Sequence, residues 1–122
     1  MSVRLIVADD DPMALELIEL ILERDDRFTL AGVASDGTEA VRIVQQHRPD
    51  ALLLDVHMPG DSTGTIISSI RVVAPDTRIL LLSAVPEDQA AELCRLYGAD
   101  GFLAKGLTSA ILLDQLAQTL TA

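Results

Sequence analysis

The chain has 122 residues, enough for one domain rather than two, and its 49% apolar content with only 2% aromatics calls for a core of Leu, Ile, Val and Ala. Nineteen acidic side chains against nine basic ones give a formal net charge of −10, which argues against direct binding of nucleic acid phosphates. The single Cys94 excludes an internal disulfide framework and a thiol-based zinc cluster, and with neither a secretory leader pattern nor an apolar run of membrane-spanning length the expectation is a cytoplasmic protein with no membrane partner.

Residues 3–8 read as a buried strand, followed by an amphipathic helix from Pro12 to about Arg24 with Pro12 suited to its first turn. In that helix Leu17, Ile18, Ile21 and Leu22 form the expected inward stripe, and Glu16, Glu19 and Glu23 the outer face. Phe28 to Ala34 is a second strand, Thr38 to about His47 a second helix, and Pro49-Asp50 leads into strand 51–54. A loop containing Pro59, Gly60 and Gly64 precedes a third helix that Pro75-Asp76 stops. Strand 79–82, a helix from Glu87 to Tyr97 that carries Cys94 as a small buried or half-buried thiol, strand 102–104 and a last helix over about Thr108 to Leu120 complete five βα units. Such alternation implies an α/β fold, a five-stranded parallel sheet with helices on both faces.

Four of the strands end in polar residues. The first runs into Asp9-Asp10-Asp11, the third ends at Asp55, the fourth at Ser83, and the fifth at Lys105, the chain's only lysine. In open α/β sheets the carboxyl ends of the strands share one edge, where ligands bind. Carboxylates gathered there repel and raise one another's pKa, and a hard divalent cation such as Mg²⁺ resolves this with oxygen ligands. Asp11 reads more simply as a helix start. Lys105 would pair with a carboxylate and attract an anion, and Ser83 offers a hydroxyl. Together the set describes a phosphoryl-transfer site in which a carboxylate is the nucleophile. Spacing alone does not select it; Asp55 is favoured because it stands alone on a central strand, whereas Asp9 and Asp10 are adjacent and suit a metal.

With these residues assembled, the chain resembles the receiver domain of bacterial two-component response regulators over nearly its whole length. The likeness is carried by Asp9-Asp10, by Asp55-Val56-His57-Met58-Pro59 with Gly64 beyond, by Ser83-Ala84 and by Lys105. The wording Ala8-Asp9-Asp10-Asp11-Pro12 and Gly98-Ala99-Asp100-Gly101-Phe102-Leu103-Ala104-Lys105 is most similar to the NarL/FixJ (LuxR-type) group of transcription factors. The resemblance implies a flavodoxin-like (βα)5 domain over residues 1–122, with any C-terminal DNA-binding domain outside this chain. It implies phosphorylation of Asp55 by a sensor histidine kinase. Asp55, Asp10, the His57 backbone carbonyl and, through water, Asp9 would hold Mg²⁺, with Mn²⁺ as a substitute. Lys105, Ser83 and Ala84 would bind the phosphoryl group, and Phe102 would be the switch aromatic, held inward by packing alone since it has no hydroxyl. The job is regulatory rather than enzymatic: the domain would catalyse only its own modification and control an output, expected to be transcription.

Two departures from the family pattern stand out. Gly106 follows the lysine where proline is usual, so a trans bond and a mobile loop are expected. The stretch from Asp55 to Gly64 is one residue longer than usual, and Asp61-Ser62-Thr63 is expected to bulge outward. A haloacid dehalogenase-type phosphohydrolase is disfavoured, because His57 stands where its second aspartate belongs. The remaining alternative is a pseudo-receiver, an interaction module that does not phosphorylate. Leu15 and Leu20 on the first helix, with Ile111 and Leu112 on the last, are surplus apolar residues that could form a homodimer patch.

Overall fold

The computed structural model describes residues 2–58, 60–105 and 109–121, without the side chains of Ser109 and Thr121. Five strands alternate with five helices: β1 (Val3–Ala8), α1 (Pro12–Glu23), β2 (Phe28–Ala34), α2 (Gly37–His47), β3 (Ala51–Asp55), α3 (Thr63–Val73), β4 (Arg78–Ser83), α4 (Glu87–Tyr97), β5 (Gly101–Ala104) and α5 (Ser109–Thr121). All pairings are parallel, in the order β2-β1-β3-β4-β5. The order reverses between β1 and β3, and this switch point is where such sheets form a crevice. The expected elements are all present, within about two residues at each boundary. The expectation for Gly106, and the expected α5 start at Thr108, lie outside the described residues.

The strands read as continuous apolar runs because both faces of the sheet are covered. Successive residues alternate between two cores. Ile6, Leu52, Leu54, Ile79 and Leu81 pack with residues of α2 and α3, including Ala40, Val44, Ile66 and Ile70. Leu5, Val7, Leu53, Leu80 and Leu82 pack on the other face with Ile21 and Leu22 of α1 and Leu112 and Leu116 of α5.

Local signals fix the helix ends. Asp11 caps α1 by accepting from Met13 N, Asp36 caps α2 by accepting from Glu39 N, and Ser62 caps α3 by accepting from Thr65 N. This gives Asp11 the helix-start role read from the sequence. Helix α2 ends at Arg48 with φ 45°, a left-handed cap that L-residues adopt at a cost, and Pro49 follows.

The stripe of α1 differs from the expected one. Leu17 is 59% exposed, whereas Leu15 joins Ile18, Ile21 and Leu22 against the core. The helix is rotated so that positions 15, 18 and 22 face in, a period-3.6 stripe that fits the sequence as well as the one starting at Leu17. Leu112 of α5 is likewise buried rather than surplus, while Leu20 and Ile111 are exposed as expected.

Candidate functional site

Register builds the site. Ala8 pairs with Leu54, so the next residues, Asp9 and Asp55, lie side by side at the carboxyl edge. Asp55 pairs with Leu82, and Ser83 with Ala104, so Ser83 and Lys105 continue the same edge. Backbone hydrogen bonds extend the ladder past the strand ends, from Val56 N to Leu82 O and from Lys105 N to Ser83 O.

Asp9, Asp10 and Asp55 can each bring a carboxylate oxygen within 4.8 Å of the others. Asp9 is fully buried and its two oxygens are already engaged: Oδ1 accepts from Asp11 N at 3.0 Å, and Oδ2 lies 3.0 Å from Lys105 Nζ. That second contact is an ion pair, and the buried Oδ2 accepts no aligned hydrogen bond. Asp55 is also buried; its Oδ1 accepts from His57 N at 3.1 Å and lies 3.2 Å from Lys105 Nζ. Asp10 is exposed, with no hydrogen bond or ion pair among the described residues. Three carboxylates therefore face one ammonium, which leaves two negative charges uncompensated, the charge of one divalent cation. The donor set, all hard oxygen and including a buried Asp9 Oδ2 that accepts no aligned hydrogen bond, fits Mg²⁺.

The same crowding moves the pKa values. Burial first, and then the Asp9 carboxylate, hold Asp55 above the usual carboxylate range against the lowering effects of the His57 N–H and Lys105. For Lys105 burial works against the charge, but hydrogen bonding and attraction to Asp9 and Asp55 outweigh it and raise the ammonium's pKa. Lys105 is thus held charged between the two buried carboxylates.

Ser83 is buried, and its hydroxyl accepts from Val85 N at 3.2 Å rather than reaching Asp55 or Lys105. With Phe102, Val85, Glu87 and Gln115 it lines a cavity of about 330 Å³ between β4, β5 and α5. Phe102 is half-buried against the core that contains α2 and α3, while Ala84 is exposed. The His57 side chain is exposed, and its backbone N–H, not its imidazole, touches the site.

The loop after Asp55 is a correction to the sequence reading. Asp61 and Ser62 are exposed, but Thr63 is turned inward, 7% exposed, and its Oγ1 donates to Val56 O at 3.0 Å. The extra residue is absorbed by a turn at Gly60, φ 91°, and by the Ser62 cap, leaving Thr63 inside the first turn of α3. Nothing in the pattern of a Ser-Thr pair before a helix says which hydroxyl caps and which turns inward.

Comparison with known proteins agrees with this geometry. The family model for the response regulator receiver domain matches residues 5–117. A transcriptional regulatory protein named NarL from Mycobacterium tuberculosis is 35% identical over 107 residues, 88% of this chain and 50% of the relative. The oxygen regulatory protein NreC of Staphylococcus carnosus is 33% identical over 103 residues, 84% of this chain and 48% of the relative. The chain thus spans about half the length of these curated relatives. The solved signal receiver domain of NarL from M. tuberculosis superposes with a TM-score of 0.88 at 30% identity, covering 99% of this chain and 98% of that one. The chain belongs to the response regulator receiver domain family, and its relatives are NarL- and NreC-type regulators.

Proposed function

We propose that this domain is a phosphorylatable switch that takes a phosphoryl group from a histidine kinase onto Asp55. The observation that carries the reading is the Lys105 ammonium held 3.0 Å from Asp9 and 3.2 Å from Asp55, beside an exposed Asp10 with no ion-pair partner among the described residues. An Asp55 carboxylate oxygen forms the new O–P bond as the P–N bond of the donor phosphohistidine breaks, and the imidazole leaves with the electron pair. Asp10, Asp55, the His57 carbonyl and, through water, Asp9 would hold Mg²⁺, or Mn²⁺ in its place. When bound, the cation supplies charge neutralisation for the carboxylates and the phosphoryl oxygens. Lys105 adds a second positive charge at the acceptor. Ser83 then exchanges its bond to Val85 N for a phosphoryl oxygen, and Ala84 and Phe102 follow it, which favours an active conformation already present as a minor state.

The name of the NarL relative, a transcriptional regulatory protein, supports transcription as the controlled output. Met13, Leu17 and Leu20 of α1 and Ile111 of α5, between 46% and 78% exposed, form the apolar face on which a second copy would dock. Leu17→Glu combined with Leu20→Glu should then keep the chain monomeric in sedimentation at high concentration, and an unchanged association state would remove that partner. Among the described residues no helix is long and apolar enough to cross a membrane.

Intact-protein mass spectrometry after incubation with acetyl phosphate tests the acceptor. The expected result is one phosphoryl adduct that requires Mg²⁺, is lost in EDTA and is absent from Asp55→Asn. No adduct under any condition would leave a non-phosphorylating interaction module as the better reading.

A further inference from the structure

We propose that Thr63 is a positioning residue for the Asp55 acceptor, acting through the peptide bond that joins Val56 to His57; this rests on reading Asp55 as the phosphoryl acceptor. That peptide is held at both ends. Its carbonyl oxygen, on Val56, accepts from Thr63 Oγ1 at 3.0 Å, and its N–H, on His57, donates to Asp55 Oδ1 at 3.1 Å. A peptide unit is planar, so fixing the oxygen on one side and the hydrogen on the other fixes the plane. The preceding peptide is anchored as well, since Val56 N donates to Leu82 O of β4 at 3.4 Å.

Thr63 suits the task because it moves with a rigid element. It lies in the first turn of α3, next to the Ser62 cap; Tyr97 of α4 lies so near Gly64 that an added Cβ would stand 3.3 Å from its ring, and Ile66 is part of the core. The hydroxyl is buried beside the carbonyl it serves, so water does not readily replace it. Two consequences follow for the acceptor. Asp55 Oδ1 is aimed by a fixed N–H rather than by a mobile loop, and the fixed plane places His57 Cα, the atom from which the His57 carbonyl extends. Without the hydroxyl the carbonyl of half-buried Val56 loses the donor that Thr63 gives it, the plane rotates to find another, and the N–H leaves Oδ1. The longer loop after Asp55 is therefore braced at its far end by the residue that closes it.

The test compares Thr63→Val, which keeps the shape and loses the hydroxyl, with Thr63→Ser, which keeps the hydroxyl. Two quantities are read on each folded protein: the rate of Mg²⁺-dependent phosphorylation by acetyl phosphate, and amide hydrogen exchange at His57 by NMR in the absence of phosphodonor. In Thr63→Val the rate should fall about tenfold or more, the scale of a misplaced reacting group. The His57 amide should exchange about tenfold or more faster, while the amides of Leu52 to Leu54 stay unchanged. Thr63→Ser should restore both. A wild-type rate in Thr63→Val, or a Thr63→Ser protein as impaired as Thr63→Val, would overturn the proposal. So would a wild-type His57 amide that exchanges as fast as an exposed one, a result independent of how the variants fold. A wild-type chain that takes up no phosphoryl group would remove the proposed function itself, and the acceptor role of the clamp with it.

Discussion

The two edges of the sheet treat charge in opposite ways. At the amino edge, arginines finish what the helices leave open. Arg4 Nη1 donates to His47 O and Arg48 O at the end of α2, Arg78 Nη1 to Thr119 O in the last turn of α5, and Arg71 to Thr77 O and Gly98 O. Asp50 and Asp100 are spent there too: Asp50 accepts from Arg4 N at 2.8 Å, and Asp100 from Ile79 N at 2.8 Å and from Arg71 at 3.0 Å. Every one of these groups has a partner of opposite charge or complementary polarity, which is what stability asks of an edge. At the carboxyl edge Asp9, Asp10 and Asp55 have only Lys105 as an ion-pair partner among the described residues. Among the described residues the cations of the chain therefore gather where they hold the fold, and one alone stands among the three carboxylates of the other edge. The composition shows only a net charge of −10; the structure shows that two of those negative charges are gathered at the switch point.

Substitutions at each edge should behave accordingly. Lys105→Met leaves the buried Asp9 carboxylate without its counter-ion and should destabilise the metal-free protein by about 2 kcal/mol, less than for a fully buried pair because Lys105 is a third exposed. Added Mg²⁺ should recover part of that loss in a denaturant melt. Arg71→Ala at the other edge should cost about 1–2 kcal/mol through its lost hydrogen bonds, and Mg²⁺ should recover none of it. An Arg71→Ala protein rescued by Mg²⁺ would erase the distinction between the edges.

Asp55→Asn should stabilise rather than destabilise. The folded-state pKa of Asp55 is raised by burial and by Asp9, so the folded chain binds this proton more tightly than the unfolded chain. The stability that protonation contributes is full below the ordinary carboxylate pKa and is lost as pH rises through the raised value. At neutral pH the ionised group is a cost, and the metal-free Asp55→Asn midpoint should lie a few degrees above wild type. The gap should close as pH falls through the range of the raised pKa, and a gap that widened on acidification would show the sign to be wrong. The smallest effect is expected at Arg48→Gly, which removes a side chain from a left-handed cap with φ 45° and should add about 0.5–1 kcal/mol.

Strand identity was legible because fully buried parallel strands are written as unbroken apolar runs, and the site followed because polar residues terminate those runs at one edge. The order of Asp9, Asp55, Ser83 and Lys105 along that edge needed the register, but not much more. Side-chain facing was harder. Leu15 and Leu17 of α1 are both leucine, and only packing against β1 and α5 decides which turns in. Thr63 was misread because a hydroxyl near a helix start serves equally well as a cap, a solvent group or an inward donor, and the choice depends on a carbonyl seven residues earlier in the chain. The roles of Arg4, Arg71 and Arg78 were not visible either, since each binds a backbone carbonyl and backbone carbonyls carry no residue signature.

The most direct test of the unbalanced edge is thermal unfolding of wild type and Asp10→Asn against Mg²⁺ concentration at constant ionic strength. The wild-type midpoint should rise with Mg²⁺ as a ligand that binds only the folded state requires, and Asp10→Asn should show little or no rise. A wild-type midpoint indifferent to Mg²⁺, or an equal rise in Asp10→Asn, would contradict the account.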